Sequence, residues 1–452
     1  METICTKRNW FFIIYVMIFA GVGGVLYGYD IGVISGALPF LKQEIQLSPD
    51  QLSIIVAAVL GGGSIATLVS GALADKFGRR PMIILAALVF IFGIFLLINA
   101  QSYSIVLLGR LVQGVGVGIV TIVIPLYLVE SVPSRFRGRG IAIFQCFLTA
   151  GIMLASVIDL RLIESGDWRK MFSFALVPAA ILLIGTLGLS ESPRWLFKKE
   201  KFAKAQKALA RCNEQEEVKR EMAEMQNLSQ GVNQARSLIF QKRYFIPFLL
   251  ALAIACLNQL TGINSFLQFS TYMLQQSGLS SHFVSMLGTV GITLTNFLVT
   301  ILAFFLIDKV GRKKLMCIGT AGIVLSLLAV GAFAHFMLPG LMQGYLTVAG
   351  MLVYIFCFAI GPGVVVWLAI SEILPTAIRG NGMAICLFAN SLVSTVLAGA
   401  FMRIAESWGY AADFWLCAFF TIFYFFIVYR YFPESKEKTL EEVEEEFRKK
   451  YQ

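Results

Sequence analysis

Asp30 and Arg110 lie inside long apolar runs, Asp30 directly after Gly28-Tyr29 and Arg110 early in the run 104–129. A carboxylate in hydrocarbon without a counter-charge is costly, so Asp30 must be protonatable, paired, or both. Arg110 is the plausible partner. Such a pair can take up and release a proton, or it can brace two helices without titrating. A second group is formed by the amides Gln145, Asn258, Gln259, Asn264, Gln268, Asn296 and Asn390, with Trp367 beside the Gly361-Pro362-Gly363 break. An amide carries donor and acceptor on one group, which suits a hydroxyl-rich ligand in a dry cavity. The indole face of Trp367 could stack on such a ligand's ring. Each amide could equally hydrogen-bond a neighbouring helix. Asn258 and Gln259 precede Gly262 and Asn264, so a helix opened there would aim them at a ligand near the membrane midplane.

Other chemistries find little footing. The eight cysteines are scattered, with Cys146, Cys256, Cys317, Cys357, Cys386 and Cys417 inside apolar segments, and they form neither a metal spacing nor a disulfide framework. His282 and His335 sit near segment ends without companion ligands and read as solvated surface residues. No nucleophile stands with a base, and there is no phosphate loop, so neither an enzyme nor a bound metal or cofactor is expected.

The elements that must position these groups are membrane helices. Hydrophobic residues make up 58% of the chain and charged ones 14%, against about a quarter charged in soluble domains. Twelve apolar runs are each long enough to cross a bilayer: roughly 11–38, 52–74, 81–99, 104–129, 139–160, 169–189, 244–275, 282–306, 314–338, 343–370, 380–405 and 411–432. The first follows the basic pair Lys7-Arg8 and is too long for a signal-peptide core, so it reads as a retained helix. With the N-terminus inside, 31 of the 37 Lys and Arg fall on the cytoplasmic side; Arg110 lies in a helix and only Lys42, Arg161, Arg169, Lys170 and Arg403 fall outside. The positive-inside rule therefore puts both termini in the cytoplasm, in the plasma or inner membrane. The net charge of +10 reflects this topology and anionic lipid headgroups, with no call for nucleic acid.

The polar stretch 191–243 divides the chain into two sets of six spans, 1–190 and 244–432, followed by a tail at 433–452. Short amphipathic helices are expected in the linker. In the tail, Leu440, Val443 and Phe447 share one face, acids come first and bases last, and the pattern suits a helix. The halves match. Asp75-Lys-Phe-Gly78-Arg79-Arg80 corresponds to Asp308-Lys-Val-Gly311-Arg312-Lys313, Glu130 with Arg137-Gly138 to Glu372 with Arg379-Gly380, and Glu191-Ser-Pro-Arg194 to Glu434-Ser-Lys436, at offsets of 233, 242 and 243. Six spans per copy make this a parallel repeat about an axis along the membrane normal. The charges at its helix ends, Asp75, Arg79, Arg80, Glu130, Arg137, Glu191, Arg194, Asp308, Arg312, Glu372, Arg379 and Glu434, could pair between bundles and hold the cytoplasmic side shut, or merely fix loop geometry.

Taken together, Gly28-Tyr29-Asp30, Asp75-to-Arg80, Arg137-Gly138, Glu191-Ser-Pro-Arg-Trp195, Gln259-Leu-Thr-Gly-Ile-Asn264, Gly361-Pro-Gly363 with Trp367, and Pro433-Glu-Ser identify a chain that resembles the sugar porters of the major facilitator superfamily over its whole length. The resemblance implies an all-α membrane fold of twelve helices in two six-helix bundles, and proton-coupled symport of a monosaccharide or polyol by alternating access. It implies sugar-contact roles for Gln145, Gln259, Asn264, Asn296, Trp367 and Asn390, a proton-coupling role for Asp30 with Arg110, and action as a monomer. Departures bear on substrate choice: Asn258 replaces the first of a glutamine pair, Gln268 and Phe269 stand where tyrosines are usual, and Ser391 stands where a tryptophan often sits. The alternatives are a facilitative uniporter, whose relatives carry a neutral residue at position 30, and a proton-driven exporter of another small solute.

Overall fold

A computed structural model describes the backbone of residues 7–229, 242–375 and 377–434. Among these residues twelve helices are long and apolar enough to cross a membrane. Spans 1 to 6 are Trp10–Ile45, Pro49–Phe77, Arg79–Ile98, Tyr103–Ser131, Ser134–Leu162 and Trp168–Gly188. Spans 7 to 12 are Tyr244–Gln276, His282–Val310, Arg312–Phe336, Leu341–Ile373, Arg379–Trp408 and Tyr410–Tyr431. All twelve expected spans are present. Most run several residues past the apolar runs, because helical hydrogen bonds continue through the polar first and last turns where water or headgroups take over.

The two sets of six form two bundles. In the first, span 1 packs along span 5 and span 4 lies between spans 2 and 3. Small residues allow the close approach: a Cβ at Gly32 of span 1 would sit 2.7 Å from the Ile152 carbonyl of span 5. In the second bundle, span 9 packs on spans 10 and 12, and spans 7 and 8 lie against spans 11 and 10. Outward faces are apolar and open, as with Leu88, Phe92 and Phe95 of span 3 and Ile181, Ile184 and Leu187 of span 6. A surface of that kind is soluble only in lipid.

Between the bundles the linker forms short helices at Pro193–Lys198, Phe202–Leu209 and Gln215–Ser229. Their apolar faces pack together through Leu196, Ala205, Ala208, Leu209, Val218 and Met225. The expected tail helix lies outside the described residues. The side carrying the linker, the end of span 2 and the start of span 3 is called the linker end below. The bundles also meet: span 1 against the second half of span 7, span 2 against span 11, and span 5 against span 8.

Candidate functional site

The ion pair expected from sequence is present. Arg110 Nη1 donates to Asp30 Oδ1 at 2.9 Å, and both side chains are fully buried. The same nitrogen donates to Gln113 Oε1 at 3.1 Å, and the guanidinium lies over the Phe172 ring, 5.4 Å from its centroid. Asp30 Oδ2, Arg110 Nε and Nη2, and Gln113 Nε2 have no hydrogen-bond partner among the described residues. The pair therefore holds two charges in a dry place with three of their five polar side-chain atoms unpartnered among the described residues. An arrangement of that kind is poorly compensated and sensitive to the loss of either charge. Gln113 was not anticipated, although its place one turn after Arg110 is a signal that sequence carries.

The amide group is organised by two helix breaks. Span 7 stops at Leu260 and restarts at Ile263, with Gly262 at φ +88°. A side chain there would be strained by that φ and would meet Phe266 and Cys417. Tyr354 Oη caps the break by donating to the Thr261 carbonyl at 3.0 Å. Asn264 Nδ2, just past the break, donates to Gln259 Oε1 at 3.0 Å and to Ser394 Oγ at 2.9 Å. Gln268 Nε2 donates to the Asn264 carbonyl at 3.2 Å. Asn258 and Asn390 are buried, and the Oδ1 of each lacks a hydrogen-bond partner among the described residues. Span 10 breaks likewise at Gly361, and Trp367 follows, half-buried against apolar residues of the second bundle.

The break thus gathers Gln259, Asn264, Gln268 and Ser394. Asn296 is buried in span 8, and Gln145 is half-buried in span 5 of the other bundle, with no hydrogen bond to this group. Ser394 was missed; it lies one turn beyond Asn390, which is a legible spacing. Phe269 is fully buried and stacks on Phe401, with ring centroids 4.7 Å apart and planes 8° apart. Phe266 stacks on Phe414 at 5.1 Å. These rings line the amide group with apolar surface where a tyrosine would have brought a hydroxyl.

Towards the end opposite the linker the bundles are joined by hydroxyls. Ser35 Oγ of span 1 lies 2.9 Å from both Ser270 Oγ and Thr271 Oγ1 of span 7, and Thr271 reaches Thr289 of span 8 at 2.9 Å. Lys42 Nζ donates to Tyr272 Oη at 2.7 Å, and the Met402 amide of span 11 donates to Ser53 Oγ of span 2 at 2.9 Å. None of this cluster was expected. His282, read as a solvated surface residue, is instead half-buried, stacking on Phe40 at 5.1 Å and pairing with Gln275 at 2.8 Å; His335 is exposed as expected.

At the linker end the repeated charges form two matching corners. In the first, Arg79 bonds Glu130 through Nε and Nη2, both at 2.8 Å, and reaches Asp75 at 3.0 Å. In the second, Arg312 lies 3.6 Å from Glu372 and 3.1 Å from Asp308. Glu191 accepts the Arg79 amide at 2.9 Å and Glu434 accepts the Arg312 amide at 3.1 Å. Each glutamate sits against a glycine with positive φ, Gly78 at +107° and Gly311 at +98°. The sequence leaves two readings for these charges, pairing between bundles and fixing loop geometry. Here these bonds run within a bundle, which fixes each loop against its own helices. Arg80 donates to the Thr186 and Leu187 carbonyls, Arg137 pairs with Glu221 of the linker at 3.0 Å, and Lys198 pairs with Asp75 at 2.9 Å. Arg194 Nε has no hydrogen-bond partner among the described residues, while Arg379 Nε donates to the Leu374 carbonyl at 3.1 Å.

A family model described as sugar (and other) transporter matches residues 16–447. The chain belongs to that family. It is 32% identical to the arabinose-proton symporter of Bacillus subtilis, covering 96% of this chain and 94% of the relative. It is 30% identical to the galactose-proton symporter of Escherichia coli K12, covering 95% and 93%, and 31% identical to the glucose transporter GlcP of Staphylococcus epidermidis, covering 96% and 97%. Among solved structures it resembles a partially occluded, inward-open form of the xylose transporter XylE from E. coli, with a TM-score of 0.82, 25% identity, and coverage of 94% of this chain and 99% of that one. Family and fold make it a multi-pass transporter of the major facilitator type, not an enzyme.

Proposed function

We propose that the chain imports a monosaccharide or related polyol together with a proton, by alternating access of two bundles, residues 1–190 and 244–432, about the linker 191–243. The observation that carries this reading is the buried Asp30–Arg110 pair in the first bundle, standing apart from the amide group at the span 7 break in the second. A proton on Asp30 would remove the charge that holds Arg110, leaving the guanidinium to Gln113 and the Phe172 face. The amides, with Trp367, would bind sugar hydroxyls once the Asn264 bonds to Gln259 and Ser394 are exchanged for ligand. Coupling requires proton and sugar to favour the same arrangement of the bundles, and it is reciprocal in free energy. The names of the relatives, proton symporters of arabinose and galactose among them, support this choice.

The orientation follows from the basic linker end, which would be cytoplasmic, with both termini, in a plasma or inner membrane; the chain would act as a monomer. The hydroxyl cluster would close the outer side. The two charged corners would form the inner gate, exchanging bonds within a bundle for bonds between bundles as the cytoplasmic side closes. The test is uptake into proteoliposomes across a panel of xylose, arabinose, glucose, galactose and myo-inositol, with and without an inward proton gradient. Accumulation of one of them that depends on the gradient and is lost in Asp30→Asn is the expected result. Equal uptake without the gradient, unaltered in Asp30→Asn, would mean a uniporter.

A further inference from the structure

We propose that a groove at the linker end is a binding site for a phosphate-bearing anion, and that its occupant is the headgroup of an anionic phospholipid. The groove has a volume of about 400 Å³ and runs between the first turn of span 3, the segment after span 6 and the linker helix Phe202–Leu209. Five cations line it: Arg80, Lys201, Lys204, Lys207 and Arg211. Lys204 and Lys207 share a helix face, with Ala208 also lining the groove and Arg211 just past the helix end, while Ala205 and Leu209 are buried on the other face. The one acid in the lining is Glu191. Its carboxylate is held by the amides of Arg79, Arg80 and Ser192, and one negative charge against five positive ones leaves the lining strongly cationic. Like charges held this close repel, and an anion in the groove relieves them.

The floor distinguishes a lipid from a soluble phosphate. Phe77, Pro81, Trp195 and Leu196 make it apolar, and Phe77 is 53% exposed. Arg80 reaches over the rim to the Leu187 carbonyl, and Leu187 and Ile184 beside it are 66% and 67% exposed on the apolar flank of span 6. A molecule with a phosphate at one end and hydrocarbon at the other fits both parts at once; a free phosphate uses only the rim. The walls belong to the first bundle and to the linker, so an occupant fastens one to the other. The proposal requires a membrane-embedded chain but neither sugar specificity nor proton coupling.

The full-length protein in phosphatidylcholine nanodiscs, with or without phosphatidylglycerol, provides the test, read by thermal unfolding and by native mass spectrometry of retained lipid. Phosphatidylglycerol should raise the melting temperature and stay bound. The triple variant K201Q/K204Q/K207Q should lose that increment, each charge removed weakening the association about fivefold. The charge-preserving variant K204R/K207R should keep it, which separates lost binding from lost folding. A triple variant that responds to phosphatidylglycerol like the unaltered protein overturns the site. Pyrophosphate added to phosphatidylcholine nanodiscs at matched ionic strength should shift the melting temperature little; a shift as large as that from phosphatidylglycerol overturns the lipid as occupant.

Discussion

Arg110 satisfies one carboxylate oxygen of Asp30 and leaves the other without a partner. That asymmetry gives the residue a testable consequence. Asp30→Ala strands a buried guanidinium, and removing one partner of a buried pair costs about 3–5 kcal/mol; the melting temperature in detergent should fall clearly, and Arg110→Met with Asp30→Ala should recover most of the loss. Asp30→Asn keeps a polar partner for Arg110, so it should abolish accumulation against a gradient while sparing sugar counterflow between equal proton pools. At the amide group, Gln259→Ala removes a hydrogen-bonding side chain at the break. Binding of the transported sugar, followed by tryptophan fluorescence or calorimetry, should weaken about tenfold, as expected for one well-placed hydrogen bond in a buried site. Asp30, Arg110 and the amides were legible in the sequence because a polar side chain in an apolar run is conspicuous. Ser35, Ser270, Thr271 and Thr289 were not. Small hydroxyls are common in membrane helices and can bond the carbonyl one turn back, as Thr289 does to Ser285, so the sequence carries no sign of which ones face a neighbour.

Among the elements, the break in span 7 was visible beforehand in the order Asn258, Gln259, Gly262, Asn264, since glycine between polar residues marks a helix that opens. What could not be read was its lining by Phe266, Phe269, Phe401 and Phe414, which comes from three separate spans. The charged corners show the same division. Their motifs were plain, but whether arginine meets glutamate within a bundle or across to the other depends on how the bundles are disposed, and hydropathy is silent on that. The corners yield a contrast between glycines. At Gly78 the positive φ and the Glu191 carboxylate leave no place for a Cβ, whereas at Gly138 no atom lies within 4 Å. Gly78→Ala should therefore reduce folded protein and transport severely, and Gly138→Ala should be close to neutral, as measured by size-exclusion yield and initial uptake rate. Gly311→Ala should reproduce the Gly78 defect, since its backbone and its Glu434 contact are equivalent.

At the scale of the molecule, two copies of one bundle have kept the same corners and diverged in their middles. The buried ion pair lies in the first, and the hydrogen-bonded amides at the helix break lie in the second. The bundles touch through spans 1 and 7, 2 and 11, and 5 and 8, so a change in either middle can reach the other through these seams. The hydroxyl cluster is one of them. Ser35→Ala with Thr271→Ala removes its bonds across the seam, and at a net value of about 1 kcal/mol each the balance between conformers should move roughly tenfold or more towards opening at that end. Distances between spin labels on spans 1 and 7 would report it as a longer population.

That cluster has a further property. Serine and threonine hydroxyls carry no net charge and do not titrate in the physiological range, whereas charges at the same end stand beside them: Lys42 on Tyr272, Asp159 of span 5 buried against Gly36, and the exposed Arg403–Asp50 pair that joins spans 11 and 2 at 3.9 Å. An electric field exerts work on a moving group in proportion to its charge, so the hydroxyl bonds themselves are electrically silent. Any voltage dependence of closing at this end falls to those flanking charges, and that of the rest of the cycle to Asp30, Arg110 and whatever charge crosses with the substrate.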